Sequence, residues 1–556
     1  MSERIFIGVA WPYANGPLHL GHIAGAYLPA DIFARYHRLR GNQVLMVSGS
    51  DKHGTPITLR AEQEGRTPAE VAEKYHQGFL DCWHKLGISF DLYTHTETTN
   101  HTQVTHDIFS TLLKKGYLYK DSMQQPYCPT CQRFLPDRYV EGTCPACGSA
   151  RARGDQCDEC GKALNPEDLL DFRCKTCDAK PHFTSSEHFF LRLAPFRDQL
   201  LSWVKQQSHW RPNALNFTLR YLEEGLKDRA ITRDLEWGIT VPVSGFEKKR
   251  IYVWFEAVIG YLSASKEWAQ SQGEKEKWQL FWKEESKSYY FIGKDNIPFH
   301  TIIWPAMLMG YGDLNLPYDV PANEFLSIEG KKLSTSRNWA VWLPEYLERY
   351  AADPLRYFLS ANMPETADAD FSWREFSRRN NGELVATYGN LVHRVLTFCQ
   401  RHFAGQVPEA GELDLSSKTL VQKSQEAFDI VGALISERHF REAIKTIFSL
   451  AQEANRYLDE KSPWKTGTNG NGSSNAIYTA LVAIAALKTL LYPFLPFSSQ
   501  GLHHLLGFAG NIETDGWELR APPQGQKMPP PEPLFAKLDE ALVSKECLQV
   551  GSNSYS

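Results

Sequence analysis

Ile5-Phe-Ile-Gly-Val-Ala10, Trp11-Pro-Tyr-Ala-Asn-Gly-Pro-Leu-His-Leu-Gly-His22, Val44-Leu-Met-Val47 and Gly49-Ser-Asp-Lys-His-Gly54 are the stretches that decide the fold. The first is short, apolar and β-branched, which predicts a buried strand. A turn-rich stretch follows, and a helical pattern spans about Gly21 to Leu39. The second apolar strand runs into Ser50-Asp51-Lys52-His53. Strand, helix and strand make a βαβ unit with polar residues at the carboxyl ends of the strands, where an open α/β sheet binds its ligands.

Strand and helix patterns return at Ile251-Tyr-Val-Trp-Phe255 and Tyr289-Tyr-Phe-Ile292, the latter leading through Gly293-Lys-Asp-Asn296 into an apolar helix ending near Leu308. The parallel sheet is therefore expected to be split in sequence. Between its halves lie eight of the chain's 11 cysteines, as the pairs Cys128/Cys131, Cys144/Cys147, Cys157/Cys160 and Cys174/Cys177. Zn2+ favours four thiolates in a tetrahedron, and each Cys-x2-Cys knuckle offers two, so four knuckles imply two ions. The short Gly148–Gly154 loop lets the middle pairs (Cys144, Cys147, Cys157, Cys160) share the first zinc, with the outer pairs (Cys128, Cys131, Cys174, Cys177) nested around it on the second. The segment reads as an insertion whose core is metal rather than hydrocarbon.

From about Phe376 the pattern is helical, with segments near 382–402, 417–437, 440–458 and 476–492, a flexible loop over Thr466–Ser474, and a Pro-rich stretch at Pro529–Pro533 before a short helical tail. The expected fold class is α/β: a Rossmann-type parallel-sheet catalytic domain split by a zinc-knuckle insertion, followed by an α-helical bundle domain. The expected boundaries are 1–117 and 231–325 for the sheet halves, 118–230 for the insertion, 326–380 for a loop and stem-contact region, 381–520 for the helical domain and 521–556 for the tail.

Composition bounds the function. The 556 residues are too many for one core, and 60 basic against 65 acidic side chains give a net charge of -5. That argues against a protein that simply coats nucleic acid and leaves room for one basic face. No secretory signal is visible at the N-terminus. The apolar run Ala480–Phe497 is interrupted by Lys488 and Pro493, which predicts a buried helix and no membrane span. An odd cysteine count with knuckle spacing fits metal binding in a reducing cytoplasm rather than disulfides, and Cys82, Cys399 and Cys547 read as plain thiols.

His19-Leu20-Gly21-His22 stands after a strand at a helix start, where free N–H groups attract phosphate, Gly21 leaves room for a nucleotide base, and two imidazoles can donate hydrogen bonds. Far along the chain, Glu329-Gly-Lys-Lys-Leu-Ser-Thr-Ser-Arg337 concentrates charge and hydroxyls suited to a leaving pyrophosphate. The two together resemble the H-I-G-H and K-M-S-K-S signatures of class I aminoacyl-tRNA synthetases. Pro12–His22, Gly49–Pro56, Tyr252-Val-Trp-Phe-Glu-Ala257 and Phe291-Ile-Gly-Lys-Asp295 with His300 narrow the resemblance to the methionyl-tRNA synthetase family, which it follows from the first strand to about Trp464.

That resemblance implies a methionine-activating, tRNA-charging enzyme of initiation and elongation, with partners ATP, L-methionine and tRNA(Met), two zinc ions, and Mg2+ with ATP. It implies a methionine pocket of Trp11, Tyr13, Trp254, Ala257, Tyr261 and His300, with Tyr261 donating to the sulfur, Asp51 holding the ammonium group and Arg233 nearby. It implies ATP contacts from His19, Gly21, His22, Gly293, Asp295, Lys331, Lys332, Ser334, Thr335 and Ser336, with His19, His22 and Lys332 catalytic. Asn390, Arg394 and Trp464 match the residues with which the family reads its anticodon. Three departures stand out. Thr335 replaces the loop's second lysine, leaving Lys331 or Arg337 to supply the charge. Trp11 stands where leucine is common. The domain some members append is missing after the helical region, so a monomer is expected. The rival readings are an H-x-G-H nucleotidyltransferase and a zinc-bearing RNA-binding protein derived from a synthetase.

Overall fold

The computed structural model describes residues 2–551 except 137, 138, 155, 156, 158, 161–163, 165, 284 and 467–470, with the backbone alone at 336, 466 and 471. Five strands form one parallel sheet: β1 (Arg4–Val9), β2 (Gln43–Ser50), β3 (Leu92–His95), β4 (Lys287–Gly293) and β5 (Ala322–Asn323). Their order is β5-β4-β1-β2-β3, and every neighbouring pair runs parallel, Ile5 lying between Val44 on one side and Lys287 on the other. The sheet is split as the sequence predicts, because β4 and β5 come from beyond the insertion. Ile5, Phe6, Ile7 and Val9 are fully buried, as a central strand covered on both faces requires. The strand order reverses around β1, so its carboxyl end is the crevice where the fold binds ligands.

The helix after β1 begins at Leu20 and runs to Leu39, widened to π geometry over Ile23–Tyr27. A second π-wound turn, Phe299–Ile303, follows β4. Such turns shift the side chains beyond them and occur often at functional sites. Of the β-rich run Ile251–Phe255, only Ile251 belongs to a paired strand, and Val253–Ser271 is a helix. Tertiary burial decides this: Val253, Phe255, Val258, Ile259 and Leu262 all pack into one core.

The insertion carries an antiparallel sheet of Arg229–Ala230, His182–Leu191, Leu118–Cys128 and Arg133–Phe134, and beyond it a smaller sheet of Ala152–Arg153, Val140–Thr143 and Leu170–Cys174. The expectation of a core without hydrocarbon is corrected here. Leu135, Tyr139, Val140, Ala152, Leu164 and Leu169 are buried together with Cys128, Cys144, Cys157 and Cys174.

The helical region contains Asn390–His402, Leu415–Ser436, Phe440–Lys461, Asn471–Leu491 and Pro496–Leu505, the first preceded by a π-wound stretch over Asn380–Gly389. Of the expected loop at 466–474, Thr466 ends one helix and residues 471–474 open another; residues 467–470 lie outside the described set. Gly472–Leu491 is apolar and long enough to cross a membrane, but 83% of its apolar window is buried inside the protein. Lys488 in that helix is itself buried and pairs with Asp515 at 2.7 Å. The tail folds back: Met528 N–H donates to Gly405 O (2.8 Å), Asn380 and Asn381 donate to Ala536 O and Leu538 O, and the helix Glu540–Gln549 brings Glu546 to the Tyr350 hydroxyl (2.8 Å).

Candidate active site

At the carboxyl end of β1 the chain turns through Tyr13, which bridges to Asp51 at the end of β2; Ala14 N–H donates to Asp51 O (2.8 Å) and Asp51 N–H to Pro12 O (2.9 Å). His19 then caps the helix. Its backbone N–H donates to His22 Nδ1 at 3.2 Å, which leaves the His22 proton on Nε2, and the two rings stack at 3.7 Å. Burial lowers both imidazoles, His22 to about 4 and His19 well below 6.5 by burial and then by the charge of His22, so both are neutral at neutral pH. Gly21 is under close cover: a Cβ there would sit 3.1 Å from the His19 ring and 3.3 Å from Leu333 of the distant basic loop. The segment after that loop is pinned to the same place, since Leu20 N–H donates to Val341 O and Leu343 N–H to Leu18 O.

Between these elements opens a cleft of about 890 Å3 lined by Tyr13, His19, His22, Thr335, Arg337 and Trp342, and also by Arg60, Arg153 and Lys175. Of the phosphate-binding residues expected in the loop, its two lysines do not line this cleft. Lys332 is exposed on the short strand Lys331–Lys332, and Lys331 Nζ lies 4.4 Å over the Trp339 ring. Of Ser336 only the backbone is described. Ser334 lies beside the cleft in a bridge to Trp339. Gly293 and Asp295 stand at the end of β4; a Cβ on Gly293 would come within 2.8 Å of an Asp295 carboxylate oxygen.

An aromatic pocket adjoins the cleft. Trp254, Ala257 and Tyr261 fall at i, i+3 and i+7 on one helix face. Trp254 stacks on Phe299 at 4.1 Å and meets Tyr13 edge-on at 6.1 Å. Tyr261 passes close to β1, where a Cβ on Gly8 would stand 2.9 Å from its ring. Its hydroxyl lies 2.7 Å from His300 Nε2, while His300 Nδ1 lies 2.9 Å from Asn296 O. A carbonyl only accepts, so Nδ1 carries the His300 proton and Tyr261 donates to Nε2. The resemblance gives this same hydroxyl a bond to a thioether sulfur; here its proton lies toward His300 Nε2. Trp11 is wedged between β2 and the helix, its ring within 2.5 Å of where Gly49 would carry a Cβ and 2.6 Å for Gly260. Arg233 is turned onto its own hairpin, bonding Ala230 O and Thr232 O with its guanidinium 3.8 Å over Tyr252.

The eight knuckle cysteines gather into two sets, Cys128, Cys131, Cys174, Cys177 and Cys144, Cys147, Cys157, Cys160, with the sulfurs of each set within 4.8 Å of one another. Four of the sulfur pairs within these sets are 3.4, 3.6, 3.8 and 3.9 Å apart. Four thiolates around Zn2+ at about 2.3 Å would be about 3.8 Å apart, so each set fits one tetrahedral ion, in the nested pairing the spacing implies.

The model of class I (M) tRNA synthetases matches residues 5–396, and that of the anticodon-binding domain of methionyl tRNA ligase matches residues 407–547. A methionine–tRNA ligase of Dehalococcoides mccartyi is 62% identical over 99% of this chain and 100% of its own length. That of Thermomicrobium roseum is 52% identical over 98% of both. The chain belongs to the methionyl-tRNA synthetase family. Its fold is also that of the Mycobacterium tuberculosis methionyl-tRNA synthetase solved with methionyl-adenylate, at a TM-score of 0.80 over 96% of this chain and 100% of that one, with 24% identity.

In this synthetase the helical region brings the third predicted group together. Arg394 lies one turn from the exposed Asn390 and stacks its guanidinium 4.6 Å over the ring of Trp464, which is 45% exposed; Asp459 holds Arg394 at 3.1 Å. Sequence reasoning missed other residues of the synthetase site. His53 Nδ1 and Glu256 Oε1 are 2.7 Å apart and buried beside Asp51, whose Oδ1 accepts from His53 N–H at 3.2 Å. Both stand in words quoted from the sequence, so a signal was present. Arg60, Arg153 and Lys175 gave none, because only the tertiary fold carries them to the cleft.

Proposed function

We propose that the chain activates L-methionine with ATP to methionyl-adenylate and transfers the methionyl group to the 3′ end of tRNA(Met). The observation that carries this reading is the meeting of His19-Leu-Gly-His22 and the 329–337 loop at one cleft, linked through Tyr13 to the aromatic pocket of Trp254, Tyr261 and His300. In the first step a methionine carboxylate oxygen bonds to the α-phosphorus, and the bond to the β-phosphate oxygen breaks with its electron pair leaving on pyrophosphate. The nucleophile is already an anion, so no protein base is needed, and positioning and charge stabilisation do the work. In the second, a terminal ribose hydroxyl of the tRNA attacks the adenylate carbonyl and AMP departs.

Tyr13, Trp254, Ala257, Tyr261 and His300, backed by Trp11, offer the apolar and aromatic walls that suit a polarizable thioether. Asp51 is the buried carboxyl for the ammonium group, and Arg233 can reach it only by leaving Tyr252. His19, Gly21 and His22 face the nucleotide, Gly293 and Asp295 its ribose, and Ser334 and Thr335 its phosphates, with Ser336 assigned to the phosphates by the resemblance alone. Lys331 and Lys332 would join them only by a movement of the loop. Mg2+ on the phosphates would neutralise charge when ATP binds. The two cysteine sets hold zinc, a structural role suited to closed four-thiolate sites. Asn390, Arg394 and Trp464 form the anticodon reader, the enzyme works as a monomer in the cytoplasm, and the domains divide at 117, 230, 325, 380 and 520.

Methionine-dependent ATP–pyrophosphate exchange tests this reading. Exchange without any need for methionine would point to a different nucleotidyltransferase. Tight tRNA binding with no exchange would point to an RNA-binding protein without synthetase activity.

A further inference from the structure

Thr335 puts a neutral hydroxyl into the cleft where a second lysine would have brought charge, and the two lysines the loop does carry, Lys331 and Lys332, are not among the residues that line it, Lys331 lying over the Trp339 ring and Lys332 being exposed. The imidazoles of His19 and His22 are held neutral by burial and offer hydrogen bonds without charge. Yet pyrophosphate must leave from this cleft with its negative charge growing. The cations that line the cleft are Arg60, Arg153, Lys175 and Arg337, against the single carboxylate of Glu345. Two of the four, Arg153 and Lys175, come from the zinc module.

That module is built to hold them firmly. Arg153 lies on the strand Ala152–Arg153, opposite Glu141 on Val140–Thr143, and the neighbouring Ala152 and Val140 are fully buried. Lys175 lies inside the Cys174–Cys177 knuckle, and its Nζ is 3.0 Å from the same Glu141. Arg60 pairs with Glu64 one helical turn on, and Arg337 Nε donates to Ser334 at 3.3 Å. Arg337 also reaches to 4.0 Å from Glu159 in the Cys157–Cys160 knuckle, so the loop and the zinc module approach each other across the cleft. A guanidinium presents a planar fork of donors that fits phosphate oxygens in pairs, which an ammonium does not.

We propose that Arg153, with Lys175 beside it, is a catalytic residue of adenylate formation, placing its guanidinium on the departing β- and γ-phosphate oxygens and supplying from the zinc module the charge that Thr335 does not. This rests on the methionine-activating reading above. The bonds made and broken are those of that reaction; Arg153 takes no proton and donates only hydrogen bonds and charge.

The experiment compares wild type, Arg153→Ala, Thr335→Lys and the Arg153→Ala/Thr335→Lys double variant in methionine-dependent exchange, with zinc content measured for each. Titration calorimetry with inorganic pyrophosphate gives a readout independent of turnover. Arg153→Ala is expected to keep its zinc, slow adenylate formation at saturating ATP at least about tenfold (roughly 1.4 kcal/mol of barrier) and weaken pyrophosphate binding. Adding Thr335→Lys is expected to restore most of both. Unchanged rate and pyrophosphate affinity in Arg153→Ala would overturn the proposal, and so would a loss that Thr335→Lys leaves unrepaired. A wild type inactive in exchange would instead defeat the methionine-activating reading, so the two failures are separate.

Discussion

Asp51 shows how a single residue can be tuned before its ligand arrives. Burial and the nearby Glu256 carboxyl push its pKa well above the usual carboxylate range, against one lowering hydrogen bond from His53 N–H. Glu256 is itself fully buried, and its Oε2 has no hydrogen-bond partner among the described residues. An ammonium group beside Asp51 supplies the missing counter-charge and favours the ionised carboxylate. Binding then lowers the Asp51 pKa and releases a proton wherever free Asp51 is still protonated. Methionine affinity should therefore rise with pH until free Asp51 is ionised, and fall on the acid side, with proton release measurable by calorimetry in buffers of different ionisation heat. Asp51→Asn should weaken binding and flatten that profile. An unchanged pH dependence in Asp51→Asn would take the ammonium role away from Asp51.

At the scale of elements, the zinc module is the unit whose behaviour follows most directly from its geometry. Each cysteine set is closed by four thiols of its own, and the two sets share only a small hydrocarbon core. Purified protein should hold about two zinc ions per chain, Cys144→Ala about one, and Cys128→Ala the complementary one, by metal analysis of folded material. One zinc in the wild type would contradict the nested pairing. These elements also divide what the sequence discloses from what it withholds. β1, β2 and the cysteine knuckles are local patterns, and their period or spacing survives folding unchanged. Asn390 and Arg394 are legible for the same reason, being i and i+4 on one helix. Val253–Phe255 misleads because its β-rich composition is overruled by burial on all sides of a core helix. The Tyr261–His300 bond, the turn of Arg233 onto Tyr252 and the arrival of Arg153 at the cleft depend on elements far apart in the chain, which no local pattern records. The packing of the tail is hidden likewise: nothing local in the Pro-rich run or the residues after it records that Asn380 and Asn381 fasten the tail to the helical region.

Across the whole molecule, catalytic and helical parts are joined through a buried ionic knot. Asp31 of the helix after β1 accepts from Arg35 (2.9 Å) and Arg356 (2.7 Å), and Arg356 also donates to Pro493 O and Phe494 O of the helical region. The sheet and the helical region therefore share one core and should unfold together. Acid should loosen that core early, because His22 and His300 are lowered to about 4 and His37 and His101 to about 3, while in the unfolded chain each returns to about 6.5. Between those values the unfolded state binds more protons, so stability is fully present above about pH 6.5 and is lost as pH falls toward 4. Thermal unfolding should record a falling Tm across that window, before Asp31, held near 2, titrates. A shared core does not make the ends of the molecule chemically equivalent, and Trp464 tests that. It lies 45% exposed with the Arg394 guanidinium 4.6 Å over its ring, in a region remote in sequence from the cleft. A half-exposed indole already stacked on a cation is shaped to take a base on its free face. Trp464→Ala should lose about 1–3 kcal/mol of tRNA binding, by analogy with base stacking elsewhere. That is about fivefold to more than a hundredfold in aminoacylation efficiency. Methionine-dependent exchange uses no tRNA and should stay nearly unchanged in the same preparation. Arg394→Ala should follow the same pattern, with Asp459 left unpaired. If exchange falls together with charging, Trp464 is holding the helical region in shape, and the anticodon lies elsewhere.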